Sequence, residues 1–462
     1  MIKKSAKSKT QTAKSKIKQS KTTDTFRGNA PVKLTDYLAY MPGILMVGML
    51  ALMLVLDITT PTAQDTQYED FKNIFRVFDY TIVSSGAIFL VIAILKNRLA
   101  FCLRDYLFSG FLLCALISTF INGLNHDAAF GIPVRYIGVF NMFAFFIVYM
   151  KVSGYIERVS FRHTILIGYL IVSDLIALSA LYENYIGHIA SYQDKTGLGA
   201  IFFNSNHYGY FLAMSIMIGI GYYIYEGIGK SVIGAASAGI NLVVLMLNNT
   251  LGAILAVGLC TIVTVALAII NEVKSNRTIT VTICRKSLTQ IGKRAFTLAA
   301  IGLVTVALAI ILSANIRSSI SGLFSDIGSI LAGTSTGNEG SGRWSQWKTV
   351  VQYIKERPFF GFGCEGITRR LMEATCNADA HCEPLTYAAY YGIPGALLYI
   401  AGVFATAVKY FRERNNMPSY CRIAFMAASA YFISSLFGVQ MFNTAPFFFI
   451  FMGMSAEEWK EV

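Results

Sequence analysis

The chain has 462 residues, of which 55% are apolar and only 14% are charged, and its mean hydropathy is +0.53. A water-soluble globular protein of this length needs more polar surface than this composition supplies. The composition therefore excludes a soluble protein and predicts an all-α polytopic membrane protein, because backbone groups inside a bilayer must pair within helices.

The N-terminal segment 1–35 is rich in Lys, Ser and Thr, and it holds much of the net charge of +13. It buries too little apolar surface to offset the entropy of ordering, so we expect a disordered cytoplasmic tail without a cleavable signal peptide. Because a membrane span follows directly, anionic membrane lipids suit this tail better than nucleic acid does. Residues 36–462 are then predicted to form a single membrane domain.

Apolar stretches long enough to cross the bilayer recur along the rest of the chain. They predict about twelve transmembrane helices, near 38–58, 78–95, 105–122, 131–150, 163–182, 206–226, 232–248, 251–271, 295–313, 385–408, 420–438 and 443–456. If both termini are cytoplasmic, about 28 of the 39 basic residues lie on the cytoplasmic side, as the positive-inside rule requires. Most of the others fall in one long extracytoplasmic loop, 314–384.

This long loop is predicted to carry short helices. Segment 333–340 has the composition of a flexible turn. Apolar residues then recur at three- and four-residue steps, which predicts a helix from Arg343 to Glu356 whose apolar stripe is Trp344, Trp347, Val351 and Ile354. A second short helix is predicted from Glu365 to Ala374.

His381 precedes the next membrane helix, whose first turn contains Pro384. A helix N-terminus disfavours a protonated neighbour, and a neutral imidazole can act as a general base towards an alcohol. Arg343, at the start of another helix, can bind phosphate oxygens bidentately. Together they suggest a hydroxyl that attacks a carbon bearing a diphosphate leaving group, although a histidine in a loop is more often structural or solvated.

Other polar residues each have two interpretations. Asp174 lies in the middle of a span, where an ionisable group is either functional or held by structural hydrogen bonds. Asn206 and His207 either line the same cavity as His381 or include a helix cap. Glu383 either orients His381 or caps its helix.

The cysteines and histidines do not have the spacing of a metal site, so no metal or cofactor is expected. In the long loop, one pair among Cys364, Cys376 and Cys382 can form a disulfide. Arg369 and Arg370 are expected to be solvated.

Several segments of the loop and the following span stand out: Arg343-Trp344, Trp347, Pro358, Gly361-Phe362-Gly363, His381-Cys382-Glu383-Pro384-Leu385 and Gly392-Ile393-Pro394-Gly395. This set resembles the C-terminal motif region of the O-antigen ligase and Wzy-type polysaccharide polymerase family. The earlier run Phe203-Asn204-Ser205-Asn206-His207-Tyr208-Gly209-Tyr210 resembles the Asn-containing start of a central span in that family, so the resemblance covers about 200–400.

The resemblance implies a GT-C-like, metal-independent glycosyltransferase in the cytoplasmic (inner) membrane of a bacterium. It would transfer a glycan, with inversion, from an undecaprenyl diphosphate carrier to a hydroxyl of a glycan or lipid acceptor outside the cytoplasm, for cell-surface polysaccharide such as capsule or exopolysaccharide. His381 would be the base and Arg343 a diphosphate ligand. Whether it is a ligase or a polymerase stays open. A transporter or flippase of lipid-linked glycans is the alternative, but it should carry polar groups throughout its spans.

The chain departs from the family pattern at two places. Where many members have Ser-Arg-Gly-Ala, this chain has Thr250-Leu251-Gly252-Ala253, so one diphosphate-binding arginine is absent from its usual position. Arg135 is a candidate substitute, or else an anchor at the membrane interface. Many members also have Asn after the histidine, where this chain has Cys382.

Overall fold

The structure is a computed structural model that describes residues 34–59, 73–74, 76–77, 80–81, 101–132, 135–155, 159–186, 198, 200–202, 204–277, 289–312, 314–337, 339–340 and 342–455. Within these ranges all regular secondary structure is helical, which confirms the predicted all-α class. Almost all of the predicted tail and most of the predicted span 78–95 lie outside the described residues.

We number the helices of the described residues in chain order. They are α1 Leu34–Thr59, α2 Leu103–Ile121, α3 His126–Phe130, α4 Val139–Tyr155, α5 Val159–Tyr185, α6 Ser205–Tyr225, α7 Ile228–Asn248, α8 Leu251–Arg277, α9 Gln290–Leu312, α10 Ala314–Leu331, α11 Arg343–Glu356, α12 Thr368–Thr375, α13 Glu383–Glu413, α14 Ser419–Ser435 and α15 Ala445–Ser455. A 3₁₀ turn, Ala200–Phe202, precedes α6.

Six helical segments of the described chain are long and apolar enough to cross a membrane: Leu103–Ile121, Phe161–Tyr185, Ser205–Tyr225, Ile228–Asn248, Leu251–Glu272 and Glu383–Glu413. Shorter apolar helices occur at Gly43–Leu56, Val139–Met150 and Ala445–Ser455. These segments are consistent with a polytopic membrane protein. Eleven of the predicted spans each overlap a helix of the described residues, and most of the twelfth, 78–95, lies outside those residues. The total of twelve crossings and the GT-C-like arrangement remain predictions.

The predicted span 131–150 is helical only from Val139 onwards. Before it, Gly131 and Tyr136 have φ angles of +83° and +47°, and a Cβ on Gly131 would lie 2.2 Å from the backbone N of Ile137. The chain therefore folds back on itself here instead of continuing as a helix. This irregular segment holds Arg135 just before the start of α4.

Two helix pairs support the site. The α2–α13 and α6–α7 pairs are among the most extensively packed in the described chain. Glycines allow this close approach: a Cβ on Gly402 of α13 would lie 2.9 Å from the Phe108 ring of α2, and a Cβ on Gly219 of α6 would lie 2.6 Å from the carbonyl oxygen of Gly234 on α7.

Helix α13 is kinked at Gly392, which has non-helical angles of φ 79° and ψ 167°, and Pro394 follows. The kink frees main-chain groups, because Pro lacks an N–H and Gly392 leaves the helical geometry. Three main-chain hydrogen bonds join α13 to the loop segment 358–363: Phe362 N–H to Ala389 C=O at 3.0 Å, Gly363 N–H to Tyr390 C=O at 2.8 Å and Ile393 N–H to Pro358 C=O at 2.8 Å.

Candidate active site

His381 lies immediately before α13 and has a left-handed backbone conformation, with φ +49°. Its backbone N–H donates to Oδ1 of Asp379 at 3.0 Å, and its Nδ1 lies 3.2 Å from the carbonyl oxygen of Asp379. A carbonyl oxygen can only accept, so this contact assigns the ring proton to Nδ1. Nε2 is then the basic nitrogen of the neutral imidazole.

Burial lowers the pKa of His381 below its ordinary value, and the positive charges of Arg343 and Arg135 lower it further against the opposing carboxylate of Asp379. The imidazole is therefore neutral at neutral pH, as a general base must be. The sequence predicted this state from the helix N-terminus alone, whereas the structure gives burial as the largest cause.

Helix α11 has the predicted bounds, Arg343–Glu356, and it begins after two glycines with positive φ, Gly340 and Gly342. The preceding turn is ordered by Glu339, whose carboxylate accepts the backbone N–H groups of Thr336 and Gly337 at 2.6 and 2.8 Å. This turn fixes the position of Arg343, the first residue of α11.

The guanidinium of Arg343 has no carboxylate within salt-bridge distance in the described part of the chain. Its Nε is buried without a hydrogen-bond partner, and Nη1 lies 3.4 Å from the carbonyl oxygen of Gly340. Its charge also acts on His381 and on Tyr210, so Arg343 faces both α6 and the loop 376–382 that carries His381, which we call the histidine loop. An anion placed here would meet an uncompensated positive charge.

The buried face of α11 differs from the predicted apolar stripe. Val351 is 39% exposed, while the buried residues are Gln346, Val350, Tyr353 and Ile354. The helix is held in this rotation by hydrogen bonds: the indole N–H of Trp347 donates to the carbonyl oxygen of Ala380 at 2.9 Å, and the Tyr353 hydroxyl donates to that of Arg370 at 3.3 Å. Polar contacts decide which face packs inwards.

Arg135 is paired with two carboxylates. Its Nη1 lies 2.5 Å from Oδ2 of Asp379, and its Nη2 lies 2.6 Å from Oε2 of Glu365 and 3.1 Å from Oγ1 of Thr368. Burial by itself would lower the pKa of Arg135, but the charges of Glu365 and its other neighbours raise it above the ordinary value. The sequence suggested a diphosphate ligand here, whereas this guanidinium is already neutralised.

Glu383 is buried among tyrosines. Its carboxylate accepts hydrogen bonds from the hydroxyls of Tyr387, Tyr399 and Tyr431 at 3.0, 2.8 and 3.2 Å. The N-cap residue of α13 is Cys382, and the hydrogen bonds of Glu383 go to tyrosines and not to His381. This arrangement differs from both interpretations of Glu383 made from the sequence. With Arg135, Asp379 and Gln440, Glu383 lines a cavity of about 20 Å³, which is room for a single water molecule.

The start of α6 approaches the site. His207 is 8% exposed, its Nδ1 has no hydrogen-bond partner, and its ring lies within electrostatic range of His381 and Arg135. The helix is capped by Asn204, whose side chain accepts the backbone N–H of Asn206 at 2.8 Å. The structure thus brings His207 to His381, while Asn206 is itself not the capping residue.

Asp174 accepts hydrogen bonds from the neighbouring helix α7, where Ser237 and Asn241 each donate to its Oδ1 at 2.7 Å. These bonds correspond to the structural interpretation and do not involve the residues around His381.

The remaining sequence candidates lie on the surface or are free thiols. Arg369 pairs with Glu373 and Arg370 with Glu356, and all four side chains are exposed. The cysteines in question, Cys364, Cys376 and Cys382, are free. Among the described residues, no group of three His, Cys, Asp or Glu side chains is arranged to hold a metal ion.

The sequence reasoning missed Asp379, Glu365 and Gln440. Asp379 could have been found, because an aspartate two residues before a loop residue is suited to accept that residue's N–H in an Asx turn. Glu365 and Gln440 are brought to the site only by tertiary packing, and their local sequence carries no such signal.

The family model described as Wzy_C, O-Antigen ligase, matches residues 236–400. This range contains Arg343, Asp379 and His381, and it begins after Arg135 and His207. No curated protein matches the chain.

Proposed function

We propose that this chain, whose residues 236–400 match the O-antigen ligase family model, transfers a glycan from an undecaprenyl diphosphate carrier to an acceptor hydroxyl during bacterial cell-surface polysaccharide synthesis. The acceptor is a glycan or a lipid, and single transfer and polymerisation share the same chemistry. The family match supports the general class, and the geometry around His381 supports the chemistry.

One observation carries the proposal: a neutral imidazole and an uncompensated guanidinium converge. Trp347 lies one helical turn after Arg343. Its indole N–H donates a hydrogen bond to the carbonyl oxygen of Ala380, the residue before His381. This hydrogen bond keeps the start of α11 beside the histidine loop. The site therefore combines a proton acceptor with a positive charge that can bind a leaving diphosphate.

In the proposed reaction, Nε2 of His381 takes the proton of the acceptor hydroxyl as the oxygen attacks the anomeric carbon. A C–O bond forms on one face of the sugar, and the C–O bond to the diphosphate breaks on the other face. The diphosphate leaves with the electron pair, and Arg343 stabilises its growing negative charge. A single displacement of this kind inverts the anomeric configuration.

We place the reaction at the outer face of the cytoplasmic membrane, with both termini cytoplasmic. Helix α13 supports this orientation, because His381 precedes its first residue and its last turns carry Lys409 and Arg412, with Arg414 following directly. Basic residues are favoured on the cytoplasmic side, so His381 is assigned to the opposite side.

The test is transfer by the purified full-length protein in lipid nanodiscs, supplied with an undecaprenyl diphosphate-linked glycan. The His381→Ala variant should lose transfer by about 10²- to 10⁴-fold, the usual contribution of a general base, while it still binds the donor. The exposed His126 provides a matched control, and His126→Ala should retain activity. Wild-type turnover by a folded His381→Ala protein would reject the proposal, and product length would separate single transfer from polymerisation.

A further inference from the structure

We infer that Asp379 is the positioning residue of His381, and that Arg135 anchors Asp379 instead of binding the carrier diphosphate. This inference rests on the proposed function, because it assigns the parts of that site which hold the base. It concerns contacts that lie behind the imidazole, away from the reacting atoms.

The carboxylate of Asp379 ties the histidine loop to α13. Its Oδ1 accepts both the backbone N–H of His381 and the hydroxyl of Thr386, each at 3.0 Å. Residues other than glycine seldom adopt a positive φ, and such a conformation persists only where the surroundings fix it. These two bonds fix it at His381, where φ is +49°.

The backbone carbonyl of Asp379 acts on the ring itself. It lies 3.2 Å from Nδ1 of His381, which holds the proton there and directs Nε2 away from the loop. One residue thus sets the backbone conformation, the ring orientation and the tautomer of the base. Loss of its side chain should misplace Nε2 without removing any group that touches the substrate.

Arg135 completes the support from a different part of the chain. Arg135 and Asp379 are 8% and 6% exposed, and the guanidinium bridges Asp379 and Glu365 at 2.5 and 2.6 Å. A diphosphate could reach this guanidinium only by displacing a buried carboxylate, which would then be left without its partner in a low-dielectric site. The carbonyl oxygen of Arg135 also accepts the backbone N–H of Phe442 at 3.3 Å, so the anchor is itself fixed.

The charged and titratable groups that face His381 are Asp379, Arg343, Arg135 and His207. Burial and the two arginines lower the pKa of His381, and the carboxylate of Asp379 raises it. Removal of the Asp379 charge should therefore lower the pKa of the base. The acid limb of the activity profile should move to lower pH, which loss of packing alone would not cause.

The decisive variant is Asp379→Asn in the full-length protein, because the amide keeps the shape and one acceptor oxygen but loses the charge. We expect kcat to fall about 10- to 100-fold, as for a slightly misplaced base, with donor KM changed less than about two-fold. The acid limb should also move to lower pH. Asp127→Asn, the same change at an exposed aspartate, should match the wild type.

A double-mutant cycle tests the role of Arg135. If Arg135 anchors Asp379, Arg135→Gln and Asp379→Asn should each lower kcat, and the double variant should be little worse than either one. If Arg135 bound the diphosphate, its replacement would raise donor KM, and its effect would add to that of Asp379→Asn. Additive effects with a raised donor KM would overturn the assignment.

Thr386→Val keeps the Asp379 charge and deletes one bond to its Oδ1, so it provides a milder variant should Asp379→Asn fail to fold. It should lower kcat at unchanged donor KM, and a wild-type kcat would overturn the inference. The outcomes separate the two proposals. Active His381→Ala protein rejects the general base, whereas inactive His381→Ala with wild-type Asp379→Asn rejects only the positioning role.

Discussion

The indole N–H of Trp347 lies 2.9 Å from the carbonyl oxygen of Ala380, and this hydrogen bond joins α11 to the loop that holds His381. It is the direct structural link between the arginine and the imidazole of the proposed site. Neither Trp347 nor Ala380 has a titratable side chain. Their hydrogen bond therefore acts by fixing the distance between Arg343 and His381.

Trp347→Phe should therefore lower both activity and stability. The change keeps the aromatic ring but removes the donor, which leaves a buried carbonyl unpaired at a cost of about 1–3 kcal/mol. We expect kcat to fall about tenfold or more, because the hydrogen bond that fixes the position of Arg343 relative to His381 is lost. The measurement is steady-state transfer together with thermal unfolding in the same detergent.

Trp344→Phe is the matched control, because Trp344 contacts the ammonium of Lys348 and not the histidine loop. Its kcat should stay near that of the wild type. Equal losses in the two variants would show that the Ala380 bond has no special role.

The pH dependence of transfer should reflect a base with a lowered pKa. Burial and the nearby arginines hold the pKa of His381 below its ordinary value of 6.5. The base works only when neutral, so activity should be constant at neutral pH and fall with decreasing pH through that pKa, below pH 6.5. The measurement is kcat/KM of the wild-type protein across pH. An acid limb centred above pH 7 would contradict this assignment.

Arg343→Gln should impair use of the carrier diphosphate. A guanidinium without a carboxylate partner can make charge-assisted hydrogen bonds to phosphate oxygens, and their loss should lower kcat/KM for the donor about 10²-fold. Inhibition of the wild-type enzyme by inorganic pyrophosphate should be lost in parallel. Lys348→Gln, an exposed change on the same helix, should leave both properties intact.

Gly392→Ala should destabilise the protein strongly. Gly392 has φ +79°, and a Cβ there would lie 2.1 Å from the carbonyl oxygen of Phe359. The strain and the clash together should lower stability by more than about 2 kcal/mol. Thermal unfolding is the measurement. Gly239→Ala in α7, where no atom lies within 4 Å of the new Cβ, should unfold at the wild-type temperature or above it.

Asp174→Ala should affect stability but not the chemistry. It removes the acceptor for Ser237 and Asn241 between α5 and α7, and such a contact within a membrane is worth about 0.6–2 kcal/mol. The unfolding temperature should fall while kcat of the folded fraction is retained. A specific loss of kcat would return Asp174 to the list of functional candidates.

Periodicity in the sequence predicted helices better than it predicted their faces. It gave α11 its bounds because Gly342 precedes the helix and Pro358 follows it, and both signals are local. It placed Val351 in the buried stripe, whereas Gln346 and Val350 are buried instead, because a hydrogen bond from Trp347 sets the rotation of the helix. Hydrophobicity alone does not carry that information.

Only those residues of the candidate site that belong to short local sequence motifs could be predicted from the sequence. His381 and Arg343 stood out as residue types next to helix starts, and the structure brings them together. The pairing of Arg135 with Asp379 joins residues 244 positions apart, and the tyrosines around Glu383 come from two helices. Such partners follow from how helices pack, which no local pattern specifies.

The loop segment 358–363 is attached to the kink of α13 through main-chain atoms, while its side chains at Phe359 and Phe360 are 71% and 55% exposed. Main-chain hydrogen bonds do not depend on which side chains occupy positions 359 and 360. Mutation at Phe359 and Phe360 can therefore change the exposed surface of this loop while its main-chain attachment to α13 persists.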